Sequence, residues 1–167
     1  MLVSSCALLE PRGDLGSVPD GPFTTDATGY VAQRLQGSDF QFHFIVIARF
    51  ENRGSVPMYL GRCFPNSPKP LFSVATTNPS TDASGYGQFW ACVGHDQQFE
   101  VMPGASRIDT LEVRGPNMVD GRTHVPIGRT QGEFRLYFEV ALSRGDGATL
   151  APESMRLSNA FLVRTLP

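Results

Sequence analysis

The sequence is short of lysine and lacks any concentration of positive charge. Lys69 is the only lysine, the thirteen arginines are scattered, and the formal net charge is −2. Nucleic acid is thereby excluded as a main partner, because phosphate binding needs a basic stripe. No apolar run reaches the roughly 18 residues of a spanning helix. Signatures of catalysis are missing as well: there is no G-x-S-x-G elbow, no P-loop and no dinucleotide glycine motif. His43, His95 and His124 are the only histidines. No His or Cys spacing gathers the three or four ligands that a metal needs. Asp14, Asp20 and Asp26 lack the pattern of a calcium loop. The sequence therefore predicts a non-enzyme with no catalytic residue, no metal and no cofactor.

What is present is turn chemistry and alternation. Seventeen glycines, thirteen prolines and twelve phenylalanines in 167 residues predict short strands joined by many turns. From Phe40 to Phe50 every second residue is apolar (Phe40, Phe42, Phe44, Val46, Ala48, Phe50), which is the period of a strand with one buried face. Residues 133–142 repeat the pattern with Phe134, Leu136, Phe138, Val140 and Leu142, and this segment is expected to be the mate of the first. Asp109, Glu112, Glu133 and Glu139 read as the wet face of a sheet. Shorter strands are expected at 58–63, 71–76, 88–93, 98–101, 107–114 and 159–164. Together these predict an all-β fold, an antiparallel sandwich of about 7–9 strands. Residues 1–29, rich in Gly, Pro, Asp and Thr, read as an extended leader or tether, with the domain spanning 30–167.

The three cysteines carry two expectations. Val3-Ser4-Ser5-Cys6 looks like the lipobox of a bacterial lipoprotein, which would make Cys6 a lipidation site; the alternative is an incidental cysteine. Cys63 ends one expected strand and Cys92 sits in another, with Trp90 on the same face. A disulfide packed against an indole is a familiar sandwich device, and closing this loop would contribute roughly 3–4 kcal/mol. Two buried free thiols are the alternative.

The order of features over residues 38–165 resembles immunoglobulin-like domains of bacterial envelope lipoproteins. It runs from Phe50-Glu51-Asn52-Arg53 through Pro57-Met58-Tyr59-Leu60 to Cys63. Trp90-Ala91-Cys92, Val101-Met102-Pro103-Gly104 and Gly132-Glu133-Phe134-Arg135-Leu136-Tyr137 follow, and Ser158-Asn159-Ala160-Phe161 closes the series. These are strand and turn features, so the resemblance implies fold and compartment rather than an activity. It implies an extracytoplasmic location, in the periplasm or on the outer surface, with the chain held peripherally or by lipid at a membrane. The Asn-Arg turn and the later Pro-Gly are also similar to sandwich-type proteinase inhibitors of the bacterial intracellular kind, an alternative that a disulfide and a lipid anchor would disfavour.

Two long loops, 65–87 and 115–131, are the candidate binding segments, since recognition on a sandwich usually falls to its loops. Lys69, Phe72 and Tyr86 in the first, with Arg122, His124 and Arg129 in the second, are candidate contacts with a protein partner, expected to be a membrane complex. The alternative is that Phe72 and Tyr86 complete the core and the arginines are solvated.

Overall fold

In a computed structural model, which describes residues 21–64, 67–77, 82–87, 97–145 and 147–166, the alternating row forms the strand β3 (Phe42–Glu51). The chain order begins with β1 (Phe23–Thr25) and β2 (Gly29–Arg34). After β3 come β4 (Met58–Gly61), β5 (Phe72–Thr76), β6 (Gln98–Val101), β7 (Ser106–Gly115), β8 (Gly132–Phe138), β9 (Val140–Ala141) and β10 (Phe161–Thr165). A 3-10 turn at Glu153–Met155 is the one helical element among the described residues.

β3 is paired on both edges. On one side β7 runs antiparallel along its whole length, from Phe42↔Gly115 to Glu51↔Ser106. On the other, β1 pairs with its end (Phe23↔Phe50) and β2 with its beginning (Arg34↔Phe42). Between β1 and β2 the chain bends around Asp26. Its carboxylate accepts hydrogen bonds from the Ile47 N–H at 2.9 Å and the Tyr30 hydroxyl at 2.6 Å. The bend sends β2 across to β10, with which it pairs in parallel (Leu162↔Gly29 to Thr165↔Ala32). β10 then pairs with β8, and β8 with β5. A smaller sheet has the order β6-β4-β9.

The inward rows of the two layers meet in a sandwich-like core. Phe44, Val46, Ala48 and Phe50 of β3 and Leu111 and Val113 of β7 pack with Phe134, Leu136 and Phe138 of β8 and Phe161 and Val163 of β10. Phe23 and Phe138 stack with centroids 4.1 Å apart, and Phe23 lies 4.6 Å from Phe50. Contacts of this kind add about 0.5–1.5 kcal/mol each beyond burial. Three polar residues, Asn52, Thr76 and Ser158, are buried among the described residues. Asn52, fully buried at the end of β3, donates from Nδ2 to the Val56 carbonyl at 2.9 Å and the Val101 carbonyl at 2.8 Å, and its Oδ1 accepts from Gly54 N–H at 3.0 Å. It fixes the turn into β4 against β6.

The inward faces of the two long rows are as the sequence predicts except at Phe40, which is exposed and precedes β3, and at Leu142, but their pairing is not as expected. The 133–142 segment pairs with β10 and β5 instead, breaks between β8 and β9, and leaves Leu142 exposed; the mate of β3 is β7. Alternation specifies which face of a strand is buried and carries no information about its neighbour. The expectation of a wholly antiparallel sandwich is corrected by β2 and β10. Phe23 is buried and β1 is part of the sheet, so packed structure is also present before Tyr30. Residues 1–20, with Cys6, and the expected strand at 88–93, with Trp90 and Cys92, lie outside the described residues.

Phe138→Ala should destabilise the protein by about 3–5 kcal/mol through loss of transfer energy and an unfilled cavity. Asn52→Ala should cost about 2–3 kcal/mol by leaving buried carbonyls without a donor, whereas Ile108→Ala on the exposed face should change stability by less than about 0.5 kcal/mol. Urea unfolding monitored by circular dichroism measures all three.

Candidate functional site

The two long loops come together. Gly85 N–H donates to the Arg129 carbonyl at 2.8 Å, and Arg129 N–H donates to the Ala83 carbonyl at 2.9 Å. The Arg129 guanidinium pairs with the Asp82 carboxylate. Backbones approach so closely here that a Cβ on Gly128, whose φ is +92°, would lie 2.5 Å from the Gly85 nitrogen. Only glycine meets both the conformation and the space. Asn117 seals the other side, its Nδ2 donating to the Gly87 carbonyl at 2.8 Å and its N–H to the Gly85 carbonyl at 3.3 Å. Below the clamp, the buried Tyr86 ring packs edge-on against Phe44 at 5.1 Å and Phe134 at 5.5 Å, and its hydroxyl donates to the Thr130 carbonyl at 2.7 Å. Burial pushes the Tyr86 phenol well above its usual range, so it stays a neutral donor.

From this clamp residues 117–127 project as a hairpin. Val119 bridges Pro126, Asp120 N–H bonds the Val125 carbonyl at 2.8 Å, and Ile127 N–H bonds the Met118 carbonyl at 2.9 Å. The tip is organised by Asp120, whose Oδ1 accepts from the N–H groups of Arg122 at 3.0 Å and Thr123 at 2.7 Å and from the Thr123 hydroxyl at 2.9 Å. Those bonds, the Thr123 N–H foremost, hold the Asp120 carboxyl below the usual carboxylate range. His124 closes the turn in the left-handed region with φ +55°. The hairpin leaves large apolar side chains in water: Met118 is 67% exposed, Val125 58%, Ile127 43% and Val119 39%. The register sets Met118, Val125 and Ile127 on one face.

The candidate residues divide accordingly. Phe72 and Tyr86 are buried in the core, which is the alternative the sequence leaves open for them. Arg129 is spent on the clamp. Arg122 and His124 stand exposed at the tip, and Lys69 is exposed in the segment before β5. Cys63 is buried and is not a free thiol. Among the wet-face carboxylates, Asp109 points inward instead, bonded to Arg107 at 2.6 Å, with the guanidinium 3.7 Å from the centre of the Phe99 ring. Glu112 is on the outer face of β7, 2.8 Å from Arg114 and 3.5 Å from His43 Nδ1; Arg114 foremost holds its carboxyl below the usual range. No group of three or more His, Cys, Asp or Glu side chains that could hold a metal occurs among the described residues. No described helix is long and apolar enough to cross a membrane.

No protein-family model matches the chain, and no curated protein does. Among solved structures, a protein from Archaeoglobus fulgidus is similar over 75% of this chain and 82% of its own, at 10% identity and a TM-score of 0.32. An alkylpurine DNA glycosylase of Pseudomonas fluorescens, bound to DNA containing an abasic site analog, is similar over 86% of this chain but 31% of its own, at 11% identity and a TM-score of 0.31.

Because the Asp120 carboxyl is more acidic folded than free, its contribution to the hairpin is complete above the usual carboxylate range and disappears as pH falls through the depressed value. The Thr123 amide resonance should follow that titration, and Asp120→Ala should abolish the pH response and broaden the resonances of 120–125, as read by two-dimensional NMR.

Proposed function

We propose that this chain is a non-catalytic accessory module with an immunoglobulin-like sandwich, working at the extracytoplasmic face of a bacterial membrane and docked on a larger membrane protein complex. The supporting observation is the hairpin: a rigidly based protrusion that keeps four large apolar side chains in water. Such exposure marks an interaction site. In this reading the exposed loop residues Lys69, Arg122 and His124 lie in the segments that meet the partner. A Cys63–Cys92 bridge belongs to the proposal, supported by the burial of Cys63 in a sulfur environment that is not a free thiol. Lipidation at Cys6 rests on the sequence motif alone.

The ordered tip favours one second reading, a sandwich-type proteinase inhibitor whose Asp120-braced turn enters an active-site cleft. Tight inhibition of a purified protease, lost on deleting residues 121–124, would select that reading.

Since Lys69 is the only lysine, an amine-reactive crosslinker applied to native cells reports on its surroundings and those of the chain's N-terminal amine. The expected result is one recurrent adduct with a membrane-complex subunit, in a chain whose intact mass shows an acyl group and a gain of two protons on reduction. An uncrosslinked, unmodified chain wholly in the soluble fraction contradicts the accessory reading.

A further inference from the structure

We infer that the 117–127 hairpin is a membrane-insertion element, which dips its aliphatic tip into the headgroup and upper acyl region of a phospholipid bilayer. The inference rests on the proposed function only in placing the chain at a membrane. It assigns the apolar tip of the hairpin to the lipid around the complex and leaves the Lys69 segment to meet the protein partner.

Three observations carry it. The first is chemistry: Met118, Val119, Val125 and Ile127 are all exposed on one paired hairpin. The large apolar set is aliphatic.

The second is backbone satisfaction. A segment entering a low-dielectric medium must carry its own hydrogen bonds, because an unsatisfied amide costs several kcal/mol there. Asp120, Arg122, Thr123, His124, Val125 and Ile127 all spend their N–H groups within the hairpin. The acceptors are the carbonyls of Val125, Asp120 and Met118, the carboxylate of Asp120 and the hydroxyl of Thr123. The tip thus brings few dry amides with it.

The third is charge. Asp120, the acid of the hairpin, turns an oxygen into the turn, where it accepts three hydrogen bonds. Arg122 is exposed beside it with no ion pair among the described residues, a guanidinium free to meet a lipid phosphate. The clamp behind the hairpin, with Arg129 held by Asp82 and Gly128 against Gly85, keeps the protrusion upright instead of letting its apolar side chains fold back. Aliphatic side chains at the end, a cation beside them and a satisfied backbone are the elements of interfacial binding.

The test is sedimentation of the full-length chain with pure-lipid vesicles of phosphatidylcholine containing about 30 mol% phosphatidylglycerol, and with phosphatidylcholine alone. Binding is expected to both, several-fold tighter to the anionic vesicles. Val125→Asp with Ile127→Ser should weaken it at least about tenfold, and Arg122→Gln about fivefold on anionic vesicles only. Retention of the native circular dichroism spectrum by these surface variants shows that the fold is intact. Depth is read independently with Val125→Trp, whose added fluorescence should shift to the blue and be quenched by bromine-labelled lipid, whereas Arg49→Trp on β3 should do neither. Absence of binding to either vesicle overturns the inference, as does binding that the hairpin substitutions leave unchanged. Because no protein partner is in the tube, that failure leaves crosslinking at Lys69 untouched, and a failure of crosslinking leaves vesicle binding untouched.

Discussion

The ring of Phe44 is the contact on which most of the arrangement converges. It projects inward from β3 and meets Tyr86 from the 82–87 segment, Phe161 from β10 and Tyr30 from β2. One side chain therefore touches both layers and the base of the loop clamp. A second aromatic group, Phe50, Phe23 and Phe138, does the same at the other end of β3. Burial of these rings supplies the large apolar contribution that offsets chain entropy. The aromatic contacts also explain why a three-residue strand such as β1 holds its place: Phe23 is wedged between Phe50 and Phe138, and Asn159 fixes the neighbouring Thr25 through bonds of 2.7 and 2.8 Å.

From that core the order extends outward to the hairpin in a chain of specific contacts. Tyr86 belongs to the core through its ring and to the 115–131 loop through its hydroxyl. The glycine pair and the Arg129–Asp82 ion pair then bring two loops to a common base, and Asp120 organises the tip. Loops built this way differ from solvated connectors, because their backbone amides are satisfied by partners inside the protein. A protrusion stiffened like this can hold apolar side chains in water without collapsing, which a flexible loop of the same composition would not do.

Much of the core was legible in the sequence because period-2 alternation reports directly on burial. Phe44, Val46, Ala48, Phe50, Phe134, Leu136, Phe138 and Val140 are all buried as their spacing predicts. Partners were not legible: alternation fits a strand beside β3 and one further along, and β8 pairs with β10 and β5 rather than with β3. β1 escaped notice because three residues carry no period, and its setting of Gly, Pro and Asp resembles a tether. Tyr86 reads as a loop anchor because its neighbours are Ser84, Gly85 and Gly87, and the core that receives it is remote in sequence. The hairpin did leave a signal, an Asp-Gly pair between Val119 and Val125, which is the usual mark of a tight turn between extended segments. It was obscured by Pro116, Pro126 and the basic residues around it, which drew attention to charge.

The central claim is that the paired loops are an ordered extension of the core, and amide hydrogen exchange tests it most directly. The account predicts that the N–H groups of Gly85, Asp120, His124, Ile127 and Arg129 exchange far more slowly than unstructured amides, with Gly85 and Arg129 approaching the protection of β3. Exchange of all five at the rate of an unfolded chain, while β3 and β8 stay protected, would contradict it.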